Sequence, residues 1–317
     1  MPTEQEILSV IRKIITNSNK YLFDDAAIIE KNLVATIDTL VENTHFTLKD
    51  YIPEEIGWKA LALNLSDIAS MGAKPLYALI ALSLPKSINL NWIKKFYTGI
   101  NSCAKKYKTQ IIGGNLARSK EINITITILG KLVTRNIGKR SNAKAGDLVF
   151  ATGSFGDSAC GFLLLKEIAH AHIGTYAQKL INIHKKPTPQ INIGQQIVSL
   201  IKRAALMDAS DGLADCLIQI AKESKVKIVT YEDKIPVSQN LTKTAKILKK
   251  PLLNLVLYGG EDYQLVGTAS KTDCKKLKKI NKVKIIGEVL KGSGAYLKQS
   301  NNKLVKLEMK KAFKHFI

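Results

Sequence analysis

Hydrophobic residues recur along the chain at two spacings, which predict helices and strands in alternation. In residues 122–128 every second residue is isoleucine and the residues between are Asn or Thr, which predicts a strand with one buried and one solvated face. Residues 4–16 place apolar side chains three and four positions apart, which predicts a helix. Further strands are predicted at 33–41, 76–84, 110–118, 147–153, 205–208, 227–231, 263–268 and 283–289, and further helices at 54–71, 90–107, 158–166, 193–204 and 213–224.

Local signals refine this pattern at several points. The strand at 110–118 is expected to break at Gly113-Gly114, and Ser210 or Asp211 is expected to cap the helix that starts at residue 213. Residues 171–190 give no clear prediction. The polar, basic segment 135–146 indicates a domain boundary, so the α/β (α+β) chain is divided into domains at 1–140 and 141–317.

Composition narrows the class of protein. Apolar residues make up 45% of the 317 residues, and no apolar run approaches the roughly 20 residues that cross a bilayer. The amino terminus opens with polar and acidic residues, unlike a signal peptide. Cys103, Cys160, Cys216 and Cys274 are scattered, which is typical of reduced thiols. We therefore expect a cytoplasmic protein that is not bound to a membrane.

The net charge of +22 raises the question of a nucleic-acid partner. The charge is uneven, because residues 1–70 contain 11 acidic and 6 basic side chains. Most basic residues elsewhere are lysines in runs such as 275–279, with few aromatic residues between them, so a platform for stacking bases is not apparent. A basic surface that attracts a phosphorylated substrate is the favoured interpretation, and nucleic-acid binding is not favoured.

The candidate chemistry lies in four polar turns and two further acids. The turns are Asp24-Asp25, Gly113-Gly114-Asn115, 208–212 and 259–262, and the further acids are Asp38 and Asp67. Carboxylates are the ligands that Mg²⁺ prefers, and glycine lets a backbone approach a phosphate closely. The set predicts a magnesium–phosphate site. Taken singly, Asp38 is equally consistent with a solvated strand end, and Asp67 with a satisfied carboxylate in the core.

The sequence lacks the common motifs of other nucleotide-binding proteins and of hydrolases. It contains no P-loop, no GxGxxG, no GxSxG and no HExxH motif. The sequence contains only five histidines, so a mechanism that depends on a catalytic histidine is not favoured. His45 alone is more typical of a structural histidine.

Taken in order, several segments resemble the thiamine-monophosphate kinase family. They are Asp24-Asp25, Asp38 to Phe46, Trp58 to Ala73, Gly113-Gly114, Arg140, Ala143 to Asp147, Gly153 to Ser158, Asp208 to Leu213, Gly259 to Leu265 and the aromatic terminus Phe313 to Phe316. The resemblance implies an ATP-dependent kinase that makes thiamine diphosphate from thiamine monophosphate. It also implies two α/β domains like those of aminoimidazole ribonucleotide synthetase, and a homodimer whose N-terminal sheets pair.

The resemblance further implies a set of site residues, with several Mg²⁺ ions as cofactors and ATP as co-substrate. The implied metal ligands are Asp24, Thr36, Ile37 (through its backbone carbonyl), Asp38, Asp67, Asn115, Asp208 and Asp211. The implied ATP contacts are Gly114, Asn115, Arg140 and Ser210. The implied thiamine monophosphate contacts are His45, Glu261 and Phe313, although Phe313 alone would be taken for a docked terminal aromatic. No residue is assigned as a general base, because the attacking phosphate oxygen is already deprotonated.

Three residues depart from the family pattern, and rival functions remain open. Phe23 and Asn115 stand where the family has Gly and Asp, and Ile37 replaces a Ser or Thr. Asn115 keeps an oxygen ligand but loses the charge, so a metal there is expected to bind more weakly. The rivals are a selenophosphate synthetase, a hydrogenase-maturation protein, a purine-pathway synthetase, and a nucleotide- or nucleic-acid-binding protein without catalysis.

Overall fold

The computed structural model describes residues 4–15, 24–30, 32–167 and 175–309. Its helices are α1 (Glu4–Ile14), α2 (Pro53–Ser70), α3 (Leu90–Tyr107), α4 (Asp157–Glu167), α5 (Thr175–Lys185), α6 (Ile191–Leu200), α7 (Leu213–Glu223), α8 (Gln239–Ile247), α9 (Leu252–Tyr258) and α10 (Lys271–Leu277). Its strands are β1 (Ala27–Ile29), β2 (Leu33–Val41), β3 (Ala73–Leu84), β4 (Gln110–Arg118), β5 (Asn123–Leu132), β6 (Leu148–Thr152), β7 (Ala205–Asp208), β8 (Lys227–Tyr231), β9 (Leu265–Ala269), β10 (Val283–Leu290), β11 (Gly294–Lys298) and β12 (Leu304–Lys306). The fold is mixed α/β.

The first sheet contains five strands in the order β1-β2-β5-β3-β4. All neighbours run antiparallel except β3 and β4, which are parallel. Alternation along β5 directs Ile124, Ile126 and Ile128 into the core, as the sequence predicts. The opposite face carries exposed apolar side chains, including Ile37 and Leu79.

Helix α2 lies at the centre of the molecule. It packs on β2 and β5 of the first sheet, on α3, and on α6 and β7 from the second half of the chain. Pro53 opens it, and Glu54 and Glu55 in its first turn face the positive end of the helix dipole. Gly57 allows close approach to α3, since a Cβ there would overlap the carbonyl oxygen of Phe96. A helix buried on several sides matches its mostly apolar sequence.

The second sheet contains seven strands in the order β12-β11-β8-β10-β6-β9-β7. Its pairs are antiparallel except β8 with β11. The inner strands β6 and β9 are almost wholly buried, in keeping with their continuous apolar sequences. This sheet presents the end of β7, and therefore Asp208, toward α2.

Several local predictions were wrong. Strand β4 continues through Gly113 and Gly114 and does not break there, although its pairing with β3 shifts register between Ala78 and Leu79. Neither Ser210 nor Asp211 caps α7, because the cap position is Gly212 at φ 104°, which supplies no side chain. The unclear segment contains α5, and α8, α9, β1, β11 and β12 were not predicted. The division at residue 140 stays a prediction.

Candidate active site

A cavity of about 510 Å³ lies where the first sheet, α2 and the second half of the chain meet. One end is acidic and the other is apolar and aromatic. The acidic lining residues are Asp38, Asp67, Asp208, Asp211 and Glu261. The apolar lining residues are Leu40, Leu63, Ala159, Phe162, Leu163, Leu255, Tyr258 and Tyr263. The cavity therefore suits an elongated ligand with a polar end and a flat apolar end.

The acidic end is assembled from three separate elements. Thr36 and Asp38 are two residues apart on β2 and so share the face of the sheet that meets α2. The hydroxyl of Thr36 donates to the Oδ2 atom of Asp67 on α2. Asp208 ends β7 and is 2% exposed. Residues far apart in sequence thus place three carboxylates in the lining of one cavity.

These carboxylates raise one another's pKa. The pKa of Asp38 is raised to about 6, first by desolvation of its carboxyl group and then by the charge of Asp25. The side chain of Asp38 remains open to the cavity. Burial, followed by Asp38 and Asp208, raises the pKa of Asp67 well above its ordinary value. Burial and then Asp25 do the same for Asp208. A site in this state favours a cation among its oxygen atoms.

Arg140 places a positive charge beside this cluster. It begins a short 3-10 helix and its guanidinium donates to Oδ1 of Asp25 through both Nε and NH2. Its NH1 donates to Gln219 at 2.7 Å, and its backbone N–H donates to Asp24 at 2.8 Å. Asp25 also accepts from the backbone N–H of Asp208 at 3.3 Å. Arg140 therefore fixes the Asp24-Asp25 turn against the end of β7.

Two of the predicted polar turns are joined by backbone hydrogen bonds. The N–H of Glu261 donates to the carbonyl of Ser210 at 2.6 Å, and the N–H of Tyr263 donates to that of Ala209 at 3.0 Å. Glu261 has φ 57° and Tyr263 has φ 48°, values that L-residues rarely adopt. Such strain persists where the surrounding contacts determine the backbone, and it is common at binding sites.

Glu261 is also fixed by two buried side chains. The Nζ atom of Lys59 lies 3.0 Å from its Oε1 atom, and Nδ1 of His184 lies 3.1 Å from its Oε2 atom. Burial alone would raise the pKa of Glu261, but Lys59 and then His184 lower it well below its usual range. The carboxylate is therefore ionised at the junction of the acidic and apolar ends of the cavity.

Comparison with known proteins identifies the family. A family model, AIR synthase related protein, N-terminal domain, matches residues 23–132. The thiamine-monophosphate kinase of Bacillus subtilis is 38% identical over 293 residues, covering 89% of this chain and 88% of its own. The thiamine-monophosphate kinase of Aquifex aeolicus is 35% identical, covering 92% of each chain. The chain belongs to the thiamine-monophosphate kinase family.

Solved structures agree with membership of the thiamine-monophosphate kinase family. A structure of AaThiL complexed with AMPPCP and TMP superposes with a TM-score of 0.88 at 33% identity, covering 99% of this chain and 97% of that one. A crystal structure of thiamine monophosphate kinase from Aquifex aeolicus gives a TM-score of 0.85 at 32% identity, covering 96% and 97%. The hydrogenase-maturation protein HypE from E. coli, at 19% identity and TM-score 0.70 with 96% and 97% covered, shares the fold alone.

Most site residues implied by the resemblance to thiamine-monophosphate kinases lie in or beside the cavity. Those that line it are Asp38, His45, Asp67, Asp208, Ser210, Asp211 and Glu261. Asp24, Thr36 and Arg140 join it through the hydrogen bonds described above. His45 also accepts from the N–H of Val41 at 3.0 Å, so it has a structural contact as well. Phe313 and Phe23 lie outside the described residues.

Two residues implied by the family resemblance are placed elsewhere. Gly114 and Asn115 are on the exposed strand β4 and line a separate surface groove. Across the sheet, Asn115 on β4 is aligned with Thr39 on β2, which lines the cavity. Strands β3 and β5 lie between them, so the two residues are three strand spacings, or about 14 Å, apart. The side chain of Ile37 is 62% exposed on the outer face of the first sheet, and the role expected of its backbone carbonyl stays a prediction.

Three residues that support this family site were not predicted from the sequence. Gln219 holds Arg140 together with Asp25, which was predicted, and Lys59 and His184 hold Glu261. Lys59 carried a usable signal, because a lysine inside the apolar sequence of α2 needs a buried partner. His184 carried none, since it falls in the segment that gave no clear prediction.

Proposed function

We propose that this protein transfers the γ-phosphoryl group of ATP to thiamine monophosphate, giving ADP and thiamine diphosphate. The observation that carries the proposal is the cavity whose acidic end faces an apolar, aromatic end. Thiamine monophosphate has the matching form, with a phosphate at one end and a flat aminopyrimidine ring at the other. Its relatives are thiamine-monophosphate kinases over about nine-tenths of their length.

The chemistry requires alignment more than proton transfer. The attacking group is a phosphate oxygen, which is largely deprotonated near neutral pH, so no strong general base is needed. Bringing two polyanions together is the main difficulty. Arg140 keeps the Asp24-Asp25 turn in place, and Glu261 and the apolar walls orient the acceptor. We propose direct in-line transfer without a phosphorylated enzyme.

Mg²⁺ fits the residues present at the acidic end. The donors offered by Asp38, Asp67 and Asp208 are hard oxygen atoms, and the pKa values of these carboxyls, raised by burial and by neighbouring acids, support a bound cation. Within the described ranges, no three acidic, His or Cys side chains converge as a complete site for one ion. The carboxylates would therefore hold ions together with phosphate oxygens. Bound Mg²⁺ would offset the charge of the phosphates and stabilise the transferring phosphoryl group.

We also propose that the protein acts as a homodimer. The outer face of the first sheet exposes Ile37, Tyr77 and Leu79, which is typical of an interface. Asn115 is too far from the cavity of its own chain to serve there. A second copy packed on this face explains why the family resemblance implies a role for Asn115, because that residue would reach the partner.

The expected cytoplasmic location remains part of the proposal. All four cysteines are buried free thiols. None of the described helices is both long and apolar enough to cross a membrane. We retain 1–140 and 141–317 as the proposed domains.

The proposal is tested by incubating the purified protein with ATP, Mg²⁺ and thiamine monophosphate and separating the products by chromatography. We expect equal amounts of thiamine diphosphate and ADP. Unphosphorylated thiamine is the control acceptor and should give no product. ADP formed without thiamine diphosphate, or product formed equally well from thiamine, would contradict the proposal. A phosphorylated protein isolated during turnover would contradict direct transfer.

A further inference from the structure

Helix α7 holds both the side chain and the main chain of Arg140. The amide oxygen of Gln219, near the middle of α7, accepts from NH1 of Arg140 at 2.7 Å. At the end of the helix, the hydroxyl of Ser224 donates to the backbone carbonyl of Arg140 at 2.7 Å and accepts from the N–H of Ala143 at 3.0 Å. The short 3-10 helix that begins at Arg140 is therefore docked on α7 through both parts of this residue.

Asp215 lies one turn before Gln219 on α7 and fixes the orientation of its amide. The Nε2 atom of Gln219 donates to both carboxylate oxygens of Asp215, at 3.2 and 3.0 Å. An ionised carboxylate only accepts hydrogen bonds, so Nε2 must face Asp215 and the amide oxygen must face Arg140. A reversed amide would place N–H against N–H at Arg140 and oxygen against oxygen at Asp215.

The carboxylate of Asp215 is held in a costly position. It is 1% exposed, and among the described residues the side-chain hydrogen bonds to it come from Gln219. Desolvation and then the charge of Asp211 raise the pKa of Asp215 to about 7, while Gln219 and Arg140 act in the opposite direction. A buried charge kept without a direct cationic partner destabilises a fold, so its place in this chain of contacts indicates a role in orienting Arg140.

Arg140 keeps donors for an anion after these contacts are made. Its Nε, NH1 and NH2 groups each donate once to Asp25 or Gln219, and NH1 and NH2 each carry a second hydrogen. The side chain is 17% exposed, which leaves part of it open to a ligand. Paired N–H groups of an arginine match the oxygen atoms of a phosphate. The orientation of the guanidinium therefore decides where these donors point.

We propose that Asp215 and Gln219 are positioning residues, which hold the guanidinium of Arg140 in the orientation that binds the phosphates of ATP. This inference rests on the proposed function, since it concerns the nucleotide at the acidic end of the cavity. Neither residue touches a substrate, and both act through Arg140. Asp25 holds one edge of the guanidinium and Gln219 holds NH1, so the group is restrained from two sides.

Binding of the ATP analogue AMPPCP in the presence of Mg²⁺ tests this positioning without turnover. Isothermal titration calorimetry at pH 8, where Asp215 is ionised, gives the dissociation constants. Gln219→Met keeps the length of the side chain and removes both of its hydrogen bonds. We expect this variant to bind AMPPCP roughly 5- to 30-fold more weakly than the parent. Its affinity for thiamine monophosphate should stay within about 3-fold, because Glu261 and the apolar lining are unchanged.

Two further single variants accompany this measurement. Asp215→Leu removes only the acceptor that orients the amide, and we expect it to weaken AMPPCP binding as Gln219→Met does. Gln178→Met is the matched control, because Gln178 donates to Asn182 one turn later in an exposed pair on α5. The control should bind both ligands as the parent does. Melting curves establish that each variant is folded at the temperature of the titration.

An exchanged pair separates hydrogen bonding from packing. In Asp215→Asn/Gln219→Glu, the new amide at position 215 can donate to the new carboxylate at position 219, which can still accept from Arg140. Both hydrogen bonds and the total charge are retained, although donor and acceptor are exchanged. We expect the double variant to bind AMPPCP within about 3-fold of the parent.

The outcomes separate this inference from the proposed function. The inference is overturned if Gln219→Met and Asp215→Leu bind AMPPCP as the parent does, or if the exchanged pair binds as weakly as Gln219→Met. Equal loss of affinity for AMPPCP and thiamine monophosphate would show a packing role only and would also overturn it. A parent that makes no thiamine diphosphate, but whose AMPPCP binding follows the expected pattern, would keep the inference and refute the proposed reaction.

Discussion

The ammonium group of Lys59 lies 3.0 Å from the carboxylate of Glu261, and these residues are 202 positions apart in the chain. Lys59 is 1% exposed and Glu261 is 29% exposed. The pair joins α2, in the first half of the protein, to the glycine-rich turn that ends at the cavity. It therefore links the stability of the molecule to the position of a side chain in the active site.

This ion pair predicts an asymmetric response to mutation. Glu261→Gln leaves the fully buried Lys59 without a counter-charge and is expected to lower the free energy of unfolding by about 2–4 kcal/mol. Lys59→Met should cost less, because Glu261 can recover contact with water. Denaturant unfolding of both variants and of the double variant measures the coupling. Additive effects in the double variant, or a larger loss in Lys59→Met, would contradict this account.

The same pair predicts a pH dependence. Lys59 and then His184 hold the pKa of Glu261 well below its usual range, although partial desolvation of its carboxylate acts in the opposite direction. A carboxyl with a lowered folded pKa stabilises the protein above its unfolded pKa of about 4.3, and that contribution disappears as pH falls. The difference in unfolding free energy between the parent and Glu261→Gln should therefore shrink between pH 6 and pH 3. A constant difference over this range would refute the assignment.

The acidic end predicts that one substitution stabilises the protein while removing its activity. Asp208→Asn removes a buried charge whose pKa is raised by burial and by Asp25. Without added metal, this variant should unfold at a higher temperature than the parent at pH 8, with a gain of roughly 1 kcal/mol. It should also lose most of the stabilisation that Mg²⁺ and ATP give. Thermal melting with and without both ligands is the measurement, with the exposed Asp233→Asn as the matched control. If Asp208→Asn without metal were less stable than the parent, repulsion between Asp208 and the neighbouring carboxylates would not be the cause of its raised pKa.

The proposed homodimer predicts that a change on the outer sheet face affects activity. Leu79→Glu places a charge on that face next to Gly113 of β4. We expect this variant to sediment as a monomer and to lose at least 10-fold in activity, because Asn115 of a partner is then absent. Leu90→Glu is the control, since Leu90 is 86% exposed at the start of α3 and lies off the sheet. A fully active Leu79→Glu monomer would show that the site is complete within one chain.

Parts of the site could be predicted from the sequence because local rules determine them. Alternation along β2 places Thr36 and Asp38 on one face, and an acid in the apolar helix α2 marks Asp67 as a residue that needs partners. The Gly259-Gly260 turn is likewise visible as a break in an apolar pattern.

Other parts depend on topology, which the sequence pattern does not encode. The position of Asn115 follows from β4 joining the edge of the sheet beside β3, and no periodicity reveals that order. The contacts of Lys59 and His184 with Glu261 require three distant segments to meet. The absence of a side-chain cap on α7 follows from the left-handed backbone of Gly212, where a cap from Ser210 or Asp211 had been expected.

In the proposed mechanism, the aspartates of this cavity carry magnesium-dependent transfer of a phosphoryl group from ATP to thiamine monophosphate. Initial rates of thiamine diphosphate formation in the parent, in Asp38→Asn and in the exposed control Asp233→Asn test it most directly. We predict that the parent and Asp233→Asn are equally active and that Asp38→Asn is at least 100-fold slower, about 2.7 kcal/mol in transition-state stabilisation. An Asp38→Asn protein that matches the parent at the same Mg²⁺ concentration would contradict the account.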